Sequence, residues 1–278
     1  MSRSLVAAVN FHLIKPCNAK CKFCFATFRE VRGRLVTDDA ARVIDQLADA
    51  GCEKLTFAGG EPTLHPDLGR LLRHAKARGL VTCVVTNGFR LDRVLDTHAD
   101  ALDWVGLSVD SSDEEVQRAL GRGAGDHVAA AVRLADRCRD LGVRLKLNTV
   151  VTSATWTEDM TGFVRRMRPE RWKVFQVLPI AGQNDGSVED LLITPAQFAA
   201  FVERHRGLAA EDLAPVVEDN DAMRGSYAMV DPLGRFYGNA TGRHVTSAPI
   251  LEVGVPAALD QVGFEPAKFE ARGGVYAW

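Results

Sequence analysis

Three of the six cysteines, Cys17, Cys21 and Cys24, fall within one short stretch of the 278-residue chain. Thiols so close in sequence converge from a single loop, and a thiolate is a soft ligand suited to zinc or to iron and sulfur. A structural zinc ion normally takes four protein ligands, and no nearby Cys or His completes the set convincingly. A [4Fe–4S] cluster with one iron left open fits the Cys-x3-Cys-x2-Cys spacing better. A secreted disulfide framework would spread its cysteines along a shorter chain. Cys52, Cys83 and Cys138 lie in helix-end, strand and helix patterns and read as small buried apolar residues.

The elements that must position these thiols are legible from periodicity. Apolar runs rich in Val, Leu and Phe alternate with segments of helical period from near residue 5 to about residue 178, which is βα repetition. Strands are expected near 5–14, 53–58, 81–86, 103–109, 143–150 and 171–178, and helices near 38–50, 67–78, 91–99, 127–141 and 157–167. Gly51, Gly79 and Gly142 each stand between a helical pattern and a strand, where a left-handed cap is needed. The expected fold is α/β, a partial (βα)6 TIM-like barrel of six parallel strands over residues 1–178. An α+β extension and a capping tail follow over 179–278, with a helix from near Thr194-Pro195 and short strands around 226–230 and 235–238. The cysteine loop follows the first strand, at the barrel end where such folds place their chemistry.

Composition agrees with a soluble globular protein: 46% hydrophobic and 25% charged residues exclude disorder, collagen and coiled coil. A net charge of −2 offers no general attraction to nucleic acid or anionic membrane. No run approaches the roughly 18 apolar residues of a membrane span, and MSRSLVAAVNFHLIKPC has neither a long apolar core nor a cleavage site. A cytoplasmic monomer with no nucleic-acid or membrane partner is expected.

CNAKCKFC followed by an aromatic residue resembles the radical S-adenosylmethionine (SAM) superfamily. Within it, NFHLIKPCNAKCKFCF, EKLTFAGGEP, LSVDSSDEEVQRALGRG, LKLNTVV, RWKVFQ, SYAMVD, ILEVGV and the terminal RGGVYAW are similar to the viperin family, bacterial homologues above all. The resemblance implies a radical SAM barrel with a [4Fe–4S] cluster on Cys17, Cys21 and Cys24 and SAM as cofactor. It assigns SAM contacts to Gly59, Gly60, Glu61, Asn87, Ser108 and Arg122. It further implies conversion of a nucleoside triphosphate, CTP foremost with UTP or GTP open, to its 3′-deoxy-3′,4′-didehydro form by a 5′-deoxyadenosyl radical. An electron donor such as flavodoxin or ferredoxin and a role in phage defence belong to the same expectation. Nucleotide contacts fall on Asn10, Lys54, Lys146, Asn148, Arg171, Lys173, Arg272, Gly273 and Gly274, with Tyr227 near the ribose 3′ position. Tyr276 belongs to a tail segment that in this family orders over the barrel mouth when nucleotide binds. Animal members carry an N-terminal amphipathic helix and have His and Lys where this chain has Ala26 and Arg29, so neither membrane association nor base preference carries over.

Strand alternation supplies an independent reading of the barrel interior. In VRLKLNTV, Arg144, Lys146 and Asn148 share one face and Val143, Leu145 and Leu147 the other, so the polar face looks inward. The same logic turns Asn10, His12, Lys54, Thr56, Arg171 and Lys173 into the lumen, which collects Lys54, Lys146, Arg171 and Lys173 from three strands. Few carboxylates stand on the corresponding faces, with Asp110 beyond the end of the fourth strand. Confined positive charge without a counterion calls for a polyanion, and a triphosphate fits. His12 reads as a structural histidine. Two rival readings stay open here: a radical SAM enzyme acting on another phosphorylated nucleoside in natural-product assembly, and a metal-bearing interaction protein that no longer cleaves SAM.

Overall fold

The computed structural model describes residues 6–278; the first residue of the strand expected over 5–14 lies outside them. Six strands, β1 (Ala8–His12), β2 (Lys54–Ala58), β3 (Val81–Thr86), β4 (Trp104–Ser108), β5 (Arg144–Val151) and β6 (Arg171–Gln176), alternate with helices as the periodicity requires. The helices are α1 (Thr37–Asp49), α2 (Leu68–Ala77), α3 (Leu91–His98), α4 (Glu114–Ala119), α5 (His127–Asp140) and α6 (Thr161–Met167). α4 was not among the expected elements; Asp113 starts it by accepting from the backbone N–H groups of Glu115 and Val116. α1 buries Ala40, Val43, Ile44 and Leu47, and α2 buries Leu68, Leu71, Leu72 and Ala75. This is the spacing of one helical face pressed on a sheet. Gly51, Gly79 and Gly142 take the left-handed conformation expected of them.

The extension does more than lie against the barrel. Helix α7 (Pro195–Arg204) begins at Thr194 with a reciprocal capping box to Gln197. It is followed by β7 (Pro215–Glu218), β8 (Ala228–Val230), β9 (Arg235–Gly238) and β10 (Val245–Pro249). The sheet order is β10-β9-β8-β1-β2-β3-β4-β5-β6-β7. β7 pairs parallel with β6, and β8 pairs parallel with β1. Six parallel strands therefore become eight, with β9 and β10 antiparallel beyond β8. β7 and β8 make no backbone ladder with each other, so the barrel is open there. Among the described residues, no helix is long and apolar enough to cross a membrane.

Register sets the interior. Lys146 stands beside Arg171 and Asn148 beside Lys173 across β5 and β6, while Ala8 stands beside Lys54 and Asn10 beside Thr56 across β1 and β2. Cys52, Cys83 and Cys138 are buried, as small apolar residues would be.

Candidate functional site

The cysteine loop leaves β1 and is gripped from three sides. The turn after β2 takes its Gly60 N–H to Ile14 O at 2.6 Å and its Glu61 N–H to Pro16 O at 2.9 Å. A Cβ at 60 would lie 2.2 Å from Lys15 O, so only glycine lets the turn come this close. From the end of α4, the Leu120 and Gly121 carbonyls accept from Lys22 and Lys20. Gly121 has φ +85° and leaves no room for a Cβ against Lys20 O. The third grip comes from the extension. Gln183 Oε1 accepts from the Phe28 N–H at 2.8 Å, Asn184 Nδ2 donates to Phe23 O at 3.1 Å, and Ser187 Oγ donates to Lys22 O at 2.7 Å. The Gly/Asn/Asp stretch after β6 is thus a clamp, which its loop-like composition did not disclose.

Cys17 is exposed and Cys21 and Cys24 are half-buried. Burial pushes all three thiols up, Cys24 to about 11, and each is raised further by a neighbouring thiol or carboxylate. Among the described residues, no three His, Cys, Asp or Glu side chains are closed up as a single metal ion demands. Three soft thiolate donors on one loop are the donor set that a [4Fe–4S] cluster takes from a protein, and Cys17, Cys21 and Cys24 fit it. Arg122 stands beside Cys21 and Cys24; burial opposes its charge, but the Asp110 carboxylate it donates to holds it protonated.

Of the other residues expected at SAM, Glu61, Asn87 and the Gly59-Gly60 turn lie against the same loop. Glu61 is buried, and Oε1 accepts from the Thr63 N–H at 3.0 Å, Thr63 Oγ1 at 2.6 Å and Thr86 Oγ1 at 2.6 Å. Its Oε2 accepts from the Asn87 N–H at 2.9 Å and keeps a second lone pair. Asn87 Nδ2 reaches Asn18 Oδ1 at 2.9 Å, with Cys17 Sγ 3.9 Å away. Ser108 ends β4 and is the register partner of Asn148.

The second region is the barrel interior. One cavity is lined by Asn10, Lys54, Thr56, Lys146, Arg171, Lys173, Tyr227, Arg272, Gly273, Gly274, Tyr276 and Trp278, among others. Lys54, Lys146, Arg171 and Lys173 meet there as expected, together with Arg272 from the tail. Asn148, Arg144 and His12 do not line it. Arg144 stacks on the Trp104 ring at 4.3 Å. His12 is buried edge-on against Phe28 and Tyr237, with ring centroids 5.3 and 5.5 Å away, and burial drops its pKa to about 3. It is a neutral structural histidine whose Nδ1 meets no partner among the described residues. Arg29 turns outward to Asp185, at 3.3 Å, so it does not reach the cavity.

The charge balance corrects the sequence reading. Glu218, the last residue of β7, is fully buried. It accepts from Lys173 Nζ at 2.6 Å, from Arg272 Nη1 at 3.3 Å and from the Tyr227 hydroxyl. The cations are therefore partly compensated. The signal for Glu218 was slight: four residues beginning with Pro, on a strand too short for alternation to register.

Burial pulls Lys54 down to about 6 and Lys173 to about 7, and their cationic neighbours pull the same way. Burial also raises Tyr227 well above its usual range, while the Arg272 guanidinium lies 3.6 Å over its ring. In the tail, the Tyr276 hydroxyl accepts from both Lys54 and Lys146, and Arg171 Nη2 donates to Gly273 O at 2.8 Å. The space a Cβ at 274 would need is filled by Phe269, 2.4 Å away, so that glycine serves packing on the short helix Pro266–Ala271. The free volume is about 60 Å³. A small-molecule pocket needs about 300–1,000 Å³, and Tyr276 and Trp278 are among the side chains that line what space remains.

Comparison with known proteins bears on both regions. The family model of the Radical SAM superfamily matches residues 13–161. An S-adenosylmethionine-dependent nucleotide dehydratase from Lacinutrix mariniflava is 44% identical over 99% of this chain, which spans 59% of that protein's length. One of the same name from Flammeovirga pacifica is 41% identical, over 99% of this chain and 97% of its own length. Among solved structures, Streptococcus suis SuiB bound to its precursor peptide superposes with a TM-score of 0.71 at 17% identity, covering 96% of this chain and 66% of that one. At that identity the likeness shows the fold alone.

Proposed function

The chain belongs to the radical SAM superfamily and, within it, to the S-adenosylmethionine-dependent nucleotide dehydratases, and from that premise we propose that it removes water from the ribose of a nucleoside triphosphate. The product is the 3′-deoxy-3′,4′-didehydro analogue, with CTP the expected substrate and a chain-terminating role in phage defence the expected use. The observation that carries this reading is the cavity in which Lys54, Lys146, Arg171, Lys173 and Arg272 converge beside Tyr227. Guanidinium and ammonium groups in a buried site are the usual partners of phosphate oxygens.

Cys17, Cys21 and Cys24 would hold a [4Fe–4S] cluster, and Glu61, Asn87, Ser108 and Arg122 with the Gly59-Gly60 turn would hold SAM. When bound, these groups supply a radical able to take the ribose 4′ hydrogen, with electrons from a donor of the flavodoxin or ferredoxin type. The chain's own work is placement. Lys54, Lys146, Arg171 and Lys173 would fix the triphosphate, and Arg272 stacked on Tyr227 would set the tyrosine beside the 3′ hydroxyl. Tyr276 accepts from both Lys54 and Lys146, so on this reading the tail shifts away from the two lysines as phosphate reaches them. It would then close over the nucleotide and exclude water.

The test is anaerobic incubation of the reconstituted enzyme with SAM, dithionite and each ribonucleoside triphosphate in turn. Expected are 5′-deoxyadenosine and a nucleotide lighter by one water, in greatest yield from CTP. Cleavage of SAM with no dehydrated product from any common ribonucleotide would move the chain to another phosphorylated substrate.

A further inference from the structure

Glu218 is out of place beside a cavity lined by cations. Each negative charge there works against binding, yet this carboxylate is fully buried and fully engaged. It does not line the cavity. It stands behind three residues that do, at the gap where β7 and β8 fail to pair. Oε1 accepts from Lys173 Nζ at 2.6 Å and from Arg272 Nη1 at 3.3 Å, and Oε2 accepts from the Tyr227 hydroxyl. Lys173 Nζ also donates to the Tyr227 hydroxyl at 2.7 Å. Lys173, Tyr227 and Glu218 thus form a closed triangle of hydrogen bonds, with its Tyr227 and Lys173 corners facing the lumen.

We propose that Glu218 is the positioning residue of the acid that removes the 3′ hydroxyl: it holds Tyr227 in place and keeps Lys173 protonated beside it as the source of the proton. The inference rests on the nucleotide dehydratase reading above. Once the 4′ hydrogen is gone, the phenol O–H swings from Glu218 to the 3′ oxygen. The C3′–O bond breaks with its electron pair going to oxygen, the phenol proton completes a water molecule, and a Lys173 N–H proton refills Tyr227. Lys173 is left as the neutral amine, to be reprotonated from solvent. One electron from the flavodoxin- or ferredoxin-type donor then completes the C3′=C4′ bond.

The electrostatics agree with this order of acids. Tyr227, buried, ionises only well above its usual range and gives up a proton only if another replaces it. Lys173, brought to about 7 by burial, is the stronger acid. Facing it are Lys146 on β5, Lys54 on β2, Arg272 in the tail, Tyr227 ahead of β8 and Glu218 on β7. Glu218 is the anion of that set, and its charge opposes the fall in the lysine's pKa. Removing the charge makes Lys173 lose its proton at lower pH.

The experiment compares wild type, Glu218→Gln and Glu218→Asp anaerobically with SAM, dithionite and CTP, reading dehydrated nucleotide formed per 5′-deoxyadenosine across about pH 6 to 9. For Glu218→Gln the ratio should fall about tenfold or more at the alkaline end, with the alkaline limb moved to lower pH by about one unit. Glu218→Asp, which keeps the charge, should recover part of both. A ratio and limb unchanged in Glu218→Gln overturn the proposal. Calorimetry with inorganic tripolyphosphate gives a reading free of turnover: the pH midpoint at which affinity declines should be lower in Glu218→Gln than in wild type, and an identical midpoint overturns the link to Lys173. If the wild type dehydrates no nucleotide while the midpoint still moves, the substrate assignment fails and the Glu218–Lys173 link stands.

Discussion

The cysteine loop takes its three thiols from one short run between Cys17 and Cys24, whereas the basic cavity takes its side chains from β1, β2, β5, β6, the segment ahead of β8 and the tail beyond Phe269. Local sequence assembles the first and tertiary closure assembles the second. A donor set on one loop keeps its composition however the rest of the chain packs. A set gathered from six segments exists only when β7 and β8 have joined the sheet and the tail has docked. The residues lining the cavity include none of the three thiols, so each region should be separable from the other by substitution.

The largest effect expected is in the loop. Replacing Cys17, Cys21 or Cys24 by Ala should abolish iron–sulfur absorption and SAM cleavage together, while calorimetric affinity for CTP stays within a few-fold of wild type. Full iron loading in a triple variant breaks the division at its first premise.

Next in size is Tyr227→Phe, which removes one O–H from the cavity and leaves the loop alone. With 4′-deuterated nucleotide it should still move deuterium into 5′-deoxyadenosine, yet lose about 10²–10⁴-fold in dehydrated product. Product at the wild-type rate would return Tyr227 to a structural role, and loss of deuterium transfer would make it a ribose-positioning residue.

Lys146→Ala, Arg171→Ala and Lys173→Ala should each weaken triphosphate binding by about 1.5–3 kcal/mol, the range for hydrogen bonds to charged groups, with SAM affinity nearly unchanged. Unchanged triphosphate affinity in all three would remove the functional meaning of the cavity.

A smaller effect follows from the lysines' ionisation. Lys54 and Lys173 lose their protons near pH 6 and 7, far below an exposed lysine. Phosphate at either favours the charged form, so binding takes up protons above about pH 7, and affinity falls as pH rises through that range. The enthalpy of CTP binding at pH 8 should therefore depend on the ionisation enthalpy of the buffer; independence from the buffer contradicts the lowered values. Folding shows the same shift with its own sign. The unfolded chain binds more protons at these lysines, so their contribution to stability rises with pH.

The smallest effect is Tyr276→Phe, which deletes the hydroxyl that Lys54 and Lys146 share. Triphosphate affinity should rise by about 0.5–1.5 kcal/mol, the net value of an ordinary hydrogen bond. A fall shows instead that the hydroxyl joins in holding the nucleotide.

Much of this was legible in the chain alone. The six parallel strands of the barrel and five of its helices are legible to within a few residues, because a short apolar strand and an amphipathic helix of two or more turns carry strong periodic signals. α4, β7 and β10 were not placed. Each has six residues or fewer, and β7 and β10 contain a proline, so periodicity has too little length to speak. The inward faces of β2, β5 and β6 followed from alternation, and Lys54, Lys146, Arg171 and Lys173 do line one cavity. Asn148 on β5 and His12 on β1 share the inward faces without lining the cavity, since alternation gives a face and not a depth along the barrel.

The sequence by itself determined the thiol donor set, the order of the strands that carry it and the sign of the charge facing the barrel interior, because each depends on residues a few positions apart. Only the tertiary structure decided how that charge is balanced. Glu218 reaches Lys173 from 45 residues away and Arg272 from 54, and Tyr276 reaches Lys54 from 222. A Coulomb interaction depends on distance in space, and spacing along the chain says nothing of it until the sheet has closed.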